Sequence, residues 1–334
     1  MIKGLLTACL LLLSCAAAEA AVTLKIATIA PDGTRWMQEL RKAGDEIARR
    51  TQEKVKLRFF PGGIMGNDKS VLRKIRVGQL QGGVIVSGSL TDIYPNIVLY
   101  NIPFLFHSYD EADYVRQRLD PILIEGLVHN GFVSFGLSEG GFAYLMSKAP
   151  IHSVDELQSH KVWVPADDPL SRVVFDAIDV APIPLPLTDV LTGLQTGLID
   201  TIASSPIGAI ALQWQTQVKY LVNEPLIYLY ATLIIDNKAY GKIDTANQVI
   251  VREELEKVFR TLDGQTRKDD AEARKALQAQ GIEFIEPTAA SRQREAEIRT
   301  KAEKLLEQRN ILSPDLVQRV DSLLAGKPGS AAAP

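Results

Sequence analysis

The sequence predicts an α/β protein of two domains, with mostly parallel sheets, a cleft between the domains and long helices at the C-terminal end. Short apolar strands alternate with amphipathic helices in two series, one beginning near Leu24 and the other near Gly141. From Thr245 onward the chain turns helical and charged. Strand and helix alternation with short connections is typical of parallel sheets covered by helices. A chain of 334 residues is long enough for two domains.

The first series opens with an apolar strand over 24–29. The next helix places four apolar residues on one face, at i, i+4, i+7 and i+11. They are Trp36, Leu40, Ala43 and Ile47. Alternating apolar and basic residues over 55–59 predict a half-buried strand, and 83–86 predicts a strand buried on both faces. We expect domain I to comprise 22–143 and about 230–265.

The second series is predicted from its caps and turns. Ser153 and Glu156 form a capping box for a short helix, and Asp168 followed by proline starts another. Strands are expected over 161–165 and 199–203, separated by a helix that Gly197 closes. The apolar segment 226–235 is long enough to return to domain I. Domain II would comprise 144–229 and about 266–325.

Four helices are expected in the C-terminal region. Their predicted ranges are 246–262, 266–280, 288–309 and 314–324. Gly264 is the residue that could interrupt a longer helix there, because glycine disfavours helix interiors. The many charged residues of this region predict a solvated face, and residues 326–334 predict a disordered tail.

The N-terminal segment has the features of a secretory signal peptide over residues 1–20. Lys3 precedes a short apolar run, and Ala18-Glu19-Ala20 fits a cleavage site. Leu12 to Cys15 also resembles a lipoprotein processing site, so lipid attachment at Cys15 is the alternative. The chain has two cysteines, both in this segment, which excludes a disulfide or thiolate metal site from the remainder. A net charge of −3 disfavours nucleic-acid binding.

Two blocks of sequence carry a family resemblance. The first is Phe59 to Gly66 (FFPGGIMG), followed by a helix that ends in Ile75 to Gly78 (IRVG). The second is Ile102 to Phe106 (IPFLF), and between the blocks a strand runs into Ser87-Gly88-Ser89. In this order the blocks resemble the solute-receptor subunit of tripartite ATP-independent periplasmic (TRAP) transporters, the DctP-type family. The resemblance runs from about Leu24 to about Ile285.

The resemblance implies a periplasmic-binding-protein-like fold of type II and a function in transport. Such a receptor captures a small molecule by domain closure about a hinge and then docks on the membrane subunits of the transporter. It is not an enzyme and needs no cofactor. Ligands of two-domain α/β proteins lie in the cleft at the carboxyl ends of the strands. Loops at these positions supply the predicted ligand-binding residues: Trp36, Met65, Ser87, Glu139, Phe142, Ala143, Trp163, Pro165, Ser204 and Ser205.

The chain departs from the family where its members bind organic acids. One family arginine belongs at the position of Trp163, another at Ala143, and an asparagine at Ser204 or Ser205. A carboxylate buried without a cationic partner is costly. We therefore expect a neutral or largely apolar ligand rather than a simple carboxylate, with Arg35 as the residue that could rescue an anion.

Two alternatives remain open at this point. Gly136 to Gly140 matches the G-x-S-x-G pattern of a secreted serine hydrolase that would use Ser138, which requires a helix after the serine and then an acid and a histidine. A receptor that works with a tetratricopeptide-repeat protein is the other alternative. The four histidines have no metal-ligand spacing, and Gly62 to Gly66 lacks the lysine of a phosphate-binding loop.

Overall fold

A computed structural model describes residues 21–166 and 168–328. The predicted signal segment with Cys15 and most of the predicted tail lie outside the described residues. In chain order the elements are β1 (Val22–Thr28), α1 (Arg35–Arg50), β2 (Val55–Phe60), α2 (Asp68–Arg76), β3 (Gly82–Val86), α3 (Tyr109–His129), β4 (Phe132–Ser134), β5 (Ser138–Ser147), β6 (Trp163–Pro165), α4 (Pro169–Ala177), β7 (Ile183–Leu185), α5 (Val190–Thr196), β8 (Thr201–Ser204), α6 (Pro206–Ala211), β9 (Tyr220–Val222), β10 (Ile227–Asp236), α7 (Asn237–Tyr240), α8 (Thr245–Ala279), β11 (Glu283–Ile285), α9 (Ala289–Gln308) and α10 (Pro314–Ala325). Short 3-10 turns cover 87–90, 95–101, 154–159, 187–189 and 214–216.

The two strand series meet through two long strands. The sheet order is β11-β9-β5-β10-β3-β1-β2, with β4 on β10 and β8 on β5. The outer pairs β1–β2, β1–β3 and β9–β11 are parallel, as expected when helices connect the strands. Strands β5 and β10 pair antiparallel with their neighbours, because each runs back from one series to the other. The predicted α/β class is confirmed, while the domain boundaries stay a prediction.

Apolar side chains cover both faces of this sheet. On one face α1 and the first half of α8 share a core that includes Met37, Leu40 and Phe259. On the other face the core contains residues of α2 and α3 and continues to Trp163. The helix predicted around Trp36 is confirmed, since α1 buries the face that the apolar spacing indicates.

The long helix α8 differs from the prediction in two respects. It runs unbroken for 35 residues, so the predicted break at Gly264 is wrong. One glycine costs a helix only about 1 kcal/mol relative to alanine, and tertiary contacts on both sides of it outweigh that cost. The predicted solvated face is also partly wrong, because Asp263, Arg267 and Asp270, spaced four and then three residues apart, lie on one face that turns inward. Within the described residues, no helix is long and apolar enough to cross a membrane.

Candidate functional site

Loops at the strand ends of the first series touch residues of the second series. A methyl group built on Gly88, just after β3, would lie 2.9 Å from the carboxyl carbon of Asp168, which caps α4. A methyl group on Gly63 would lie 4.0 Å from the methyl carbon of Thr188. The carboxyl ends of the two strand series therefore face each other, which is the arrangement expected of a cleft between two domains.

Trp163 is buried on β6 and presents an apolar ring. Its indole Nε1 donates a hydrogen bond of 3.0 Å to the carbonyl oxygen of Leu185. The ring meets Trp214 edge to face, with centroids 5.3 Å apart and planes at 70°. Since tryptophan has a single donor, nothing polar on this side chain remains for a ligand. The side chain therefore offers apolar contact alone.

Trp214 is a residue that the sequence analysis missed. It lies in the 3-10 turn 214–216 beyond α6 and is 2% exposed. No periodicity marks it, because it follows a helix of only six residues. Its one signal is composition: the chain has three tryptophans, and two of them meet here.

The hydroxyl groups predicted to bind ligand are already bonded within the protein. Ser87 Oγ donates to Asn101 Oδ1 at 2.6 Å, and Ser204 Oγ donates to the Ser205 carbonyl oxygen at 3.1 Å. Ser205 Oγ caps α6 by accepting from the Gly208 amide at 3.3 Å. Because of these bonds, the three serine hydroxyls already have hydrogen-bond partners within the protein.

Met65 and Pro165 are half-buried, and the Met65 side chain packs against the same apolar cluster as Trp163. The carbonyl oxygen of Met65 accepts from Lys74 Nζ at 2.7 Å, which holds its loop against α2. Ala143 is buried on β5 and offers no polar atom. The structure thus leaves these three positions apolar, as their residue types indicate.

Phe142 does not share a face with Ala143. Successive side chains of a strand point to opposite faces, and the Phe142 ring packs 4.8 Å from Tyr109 and 5.4 Å from Tyr228, centroid to centroid. It is therefore part of the core between β5, β10 and α3. Its predicted ligand contact stays a prediction that this packing does not support.

Glu139 belongs to a buried ionic network where β5 crosses α8, and its predicted ligand contact stays a prediction that this network does not support. Its side chain is 0% exposed. Arg267 Nε donates to Oε1 at 2.6 Å, and the Tyr228 hydroxyl donates to Oε2 at 2.8 Å. The Glu139 amide donates to Asp263 at 2.9 Å. Burial raises the pKa of Glu139, opposed by the hydrogen bond from Arg267. With both oxygens taken, this carboxyl fixes the crossing rather than a solute.

Arg116 of α3 completes the network. Its Nη1 lies 2.9 Å from Asp263 and its Nε donates to Asp120 at 3.2 Å. Arg267 forms a second pair of bonds, of 2.8 and 2.6 Å, with Asp113. The network ties the middle of α8 to α3, β5 and β10, and its arginines are partnered by carboxylates of the protein.

Trp36 and Arg35 lie against α8. The Trp36 ring packs edge-on against Phe259, with centroids 5.9 Å apart. Arg35 Nε donates to Asp269 at 2.9 Å, so its charge already has a partner. The ligand contact of Trp36 stays a prediction, and Arg35, which could rescue an anion, already pairs with Asp269.

Two carboxyl groups lie near the facing loops, and one of them, Asp270, has the guanidinium of Arg274 nearby. Asp168 accepts from the Leu170 amide at 3.0 Å and from Ser171 Oγ at 2.6 Å, and burial raises its pKa. Asp270 of α8 accepts a long bond of 3.3 Å from the Ile207 amide, and burial raises its pKa to about 6. In their ionised form these carboxylates disfavour a bound anion.

Ser138 does not form a nucleophile elbow. The chain continues from it along β5, where a hydrolase needs a helix. The residue is fully buried, and its Oγ has no hydrogen-bond partner within the described part of the chain. The hydrolase interpretation of Gly136 to Gly140 is wrong. Likewise, the described residues contain no group of three or more acidic, histidine or cysteine side chains that could hold a metal ion.

Comparison with known proteins decides the family. The DctP family, described as bacterial extracellular solute-binding protein, family 7, matches residues 26–309. The chain belongs to this family. A solute-binding protein of Roseobacter denitrificans is 26% identical over 87% of this chain and 90% of its own length. The sialic acid-binding periplasmic protein SiaP of Vibrio cholerae is 21% identical over 84% and 88%.

Solved TRAP periplasmic solute-binding proteins share the fold. One from Desulfovibrio salexigens, with bound orotic acid, has a TM-score of 0.81 at 19% identity and covers 91% of this chain and 99% of its own. DctP7 of Bordetella pertussis, which binds pyroglutamic acid, reaches 0.82 at 18% identity, with coverage of 91% and 99%. The predicted two-domain fold and the resemblance to TRAP receptors are confirmed. The family is one of periplasmic receptors rather than enzymes, and nothing in these matches supports a tetratricopeptide-repeat partner.

Proposed function

We propose that this TRAP receptor captures a neutral or largely apolar solute between its two domains and delivers it to the membrane subunits of a TRAP transporter. The observation that carries the ligand class is the Trp163–Trp214 pair. Trp163 occupies a position where the family resemblance implies an arginine. An edge-to-face aromatic pair with its donor satisfied favours ring or hydrocarbon contact over a charged group.

The solved neighbours were captured with acids, namely orotic acid, pyroglutamic acid and D-glucuronate. These ligands disagree with a neutral solute. At 18 to 19% identity the neighbours carry the fold alone, so the ligand class rests on the residues of this chain. Ala143, Trp163 and the internally bonded serines supply no cation to a carboxylate.

Closure about a hinge would bring the two series of loops together. We take domain I as 22–143 with about 230–265, and domain II as 144–229 with about 266–325. On this proposal the approaches at Gly88 and Gly63 belong to the closed arrangement, and the ionic network at Glu139 holds the crossing as a pivot. A solute that touches both domains stabilises the closed state because it binds that state more tightly.

We further propose that the chain is exported, with residues 1–20 as a signal peptide. Lipid attachment at Cys15 is the alternative route to the same compartment. Mass spectrometry of the protein from the periplasmic and membrane fractions separates the two. An N-terminus near Ala21 supports cleavage of the signal peptide, and a lipid-modified Cys15 supports the anchor.

Calorimetry against two panels tests the ligand class. One panel holds orotic acid, pyroglutamic acid, D-glucuronate and short dicarboxylates, and the other holds neutral and aromatic solutes. We expect binding from the second panel only, because an acid would bury an uncompensated charge. Submicromolar binding of a small acid would contradict the ligand class while leaving the receptor function intact. Small-angle scattering with the bound solute should give a smaller radius of gyration, and an unchanged radius would count against closure.

A further inference from the structure

Helix α2 carries three exposed cations on one face without partners. Lys69, Arg73 and Arg76 follow one another at i, i+4 and i+7, so they line one side of the helix. The opposite side buries apolar residues of the core. Among the described residues, none of these three cations has an ion-pair partner or a side-chain hydrogen bond. Like charges at this spacing destabilise a helix, so the arrangement is unfavourable for α2 by itself.

The basic residues of the preceding helix, α1, are paired with carboxylates. All five of its basic residues form ion pairs: Arg35 with Asp269, Arg41 with Asp32, Lys42 with Glu39, Arg49 with Glu46, and Arg50 with Glu253 and Glu254. The protein carries a net charge of −3, so acidic residues are plentiful. The two helices therefore differ in how their basic residues are paired, and on α2 the three unpaired cations share one side of the helix.

Two large aliphatic side chains flank this row in exposed positions. Ile64, in the loop before α2, is 70% exposed, and Val77, just after the helix, is 65% exposed. The Ile64 loop is held by hydrogen bonds from the Gly63 amide to the Thr28 carbonyl oxygen and from Lys74 to the Met65 carbonyl oxygen. An ordered turn therefore keeps an isoleucine in solvent. We name Ile64, Lys69, Arg73, Arg76 and Val77 the α2 face.

We propose that the α2 face is a docking surface for an anionic lipid membrane. Cations beside exposed aliphatic side chains are the combination that binds such a surface: the cations meet the headgroups and the aliphatic groups enter the boundary of the acyl layer. Three cations give weak, reversible, salt-sensitive attachment rather than anchoring. Since the Ile64 loop also contains Gly63, which faces Thr188 of the second series, docking would bring the cleft side of the receptor near the membrane.

Vesicle flotation tests this surface. Soluble protein from the periplasmic fraction, with its N-terminus read by mass spectrometry, is mixed with vesicles of pure phosphatidylcholine or of phosphatidylcholine with one-quarter phosphatidylglycerol. We expect binding to the anionic vesicles at low salt, its loss at high salt, and none to neutral vesicles. Lys69→Gln, Arg73→Gln and Arg76→Gln together should weaken binding by roughly tenfold to a hundredfold.

The matched control removes the same charge from α1, with Arg41→Gln, Lys42→Gln and Arg49→Gln. It should bind anionic vesicles like the unmodified protein. A second variant, Ile64→Ser with Val77→Ser, should reduce the binding that remains at intermediate salt. Equal loss in both triple variants would overturn the proposal, because net charge alone would then account for binding. Absence of binding to anionic vesicles at low salt would also overturn it, and would direct the search to an acidic protein partner.

Discussion

The strand crossing at Glu139 and the facing loops at Trp163 use charge in opposite ways. At the crossing, Arg116 and Arg267 are held by carboxylates of the protein itself. On the other side, the resemblance implies arginines at the positions of Ala143 and Trp163, and the Trp163 donor and the Ser204 hydroxyl are bonded internally. Arg116 and Arg267 thus serve the fold, whereas the cleft, on the function proposed here, would rely on apolar and aromatic contact.

This difference follows from the cost of an unpaired buried charge. An arginine in a binding cleft is compensated only while a carboxylate ligand is present, whereas an arginine at the crossing has a permanent partner. A receptor for an uncharged solute gains nothing from cleft arginines. The aromatic pair at Trp163 is therefore the structural basis of the proposed class of solute.

The largest expected effect lies at the crossing. Glu139→Ala would leave Arg267 and the Tyr228 hydroxyl without their shared acceptor, and we expect a loss of about 3–5 kcal/mol in the free energy of unfolding. Urea denaturation at neutral pH measures it. The control Glu297→Ala removes one half of an exposed pair with Arg294 and should cost less than about 1 kcal/mol. Similar losses in the two variants would contradict a structural role for the network.

The pH dependence of stability comes next. Burial raises the pKa of Asp270 to about 6 and that of Glu295 to about 7. Carboxyls with raised pKa values contribute stability below the pKa of the unfolded chain and lose it as pH rises through the folded values. We expect the free energy of unfolding to fall by roughly 2 kcal/mol between pH 5 and pH 8. Asp270→Asn should flatten this slope, and an increase in stability over the same range would contradict the assignment.

Substitutions at Trp163 test the role of the aromatic pair in solute binding. Trp163→Ala should weaken binding of the natural solute by about 1–3 kcal/mol through lost apolar contact. Trp163→Arg should also weaken it, since it places an unpaired charge among apolar groups. Tyr240→Ala removes a buried aromatic residue from the separate core beside α8 and should leave affinity unchanged. Calorimetry checks all three, and tighter binding by Trp163→Arg would indicate an acidic solute.

The smallest effect concerns closure. Gly88→Ala would bring a methyl group within 2.9 Å of the Asp168 carboxyl carbon, which should weaken solute binding by about 1 kcal/mol. Gly264→Ala is the control, because a methyl group there meets nothing within 4 Å. It should stabilise α8 by about 1 kcal/mol and leave affinity unchanged. Unaltered binding by Gly88→Ala would show that this contact is not part of the closed state.

The secondary structure was largely predictable, because periodicity and caps are local signals. The helix carrying Trp36 and the helix closed by Gly197 form as predicted. The unbroken α8 was not predictable around Gly264, since its continuity depends on contacts from elements distant in sequence. Strand order also required the structure, because β10 returns between β3 and β5.

The cleft residues were predictable only in part. Being at a strand end does not determine which face a side chain takes, and for this reason Phe142 and Glu139 were assigned to the ligand although they belong to the crossing. Their partners Tyr228 and Arg267 lie roughly 90 to 130 positions away in sequence. Trp163 was predicted as a site residue because its type differs from the pattern that the resemblance implies, whereas Trp214 has no such pattern to differ from.

Identification of the solute that leaves the purified protein on denaturation is the most direct test of the central claim. Mass spectrometry of the released small molecules, repeated on Trp163→Ala protein, identifies the class of ligand without a panel of test compounds selected beforehand. We predict a neutral or largely apolar compound, possessing a ring or hydrocarbon portion, that is recovered at lower occupancy from the variant. Recovery of a small carboxylate, undiminished in Trp163→Ala, would contradict the account.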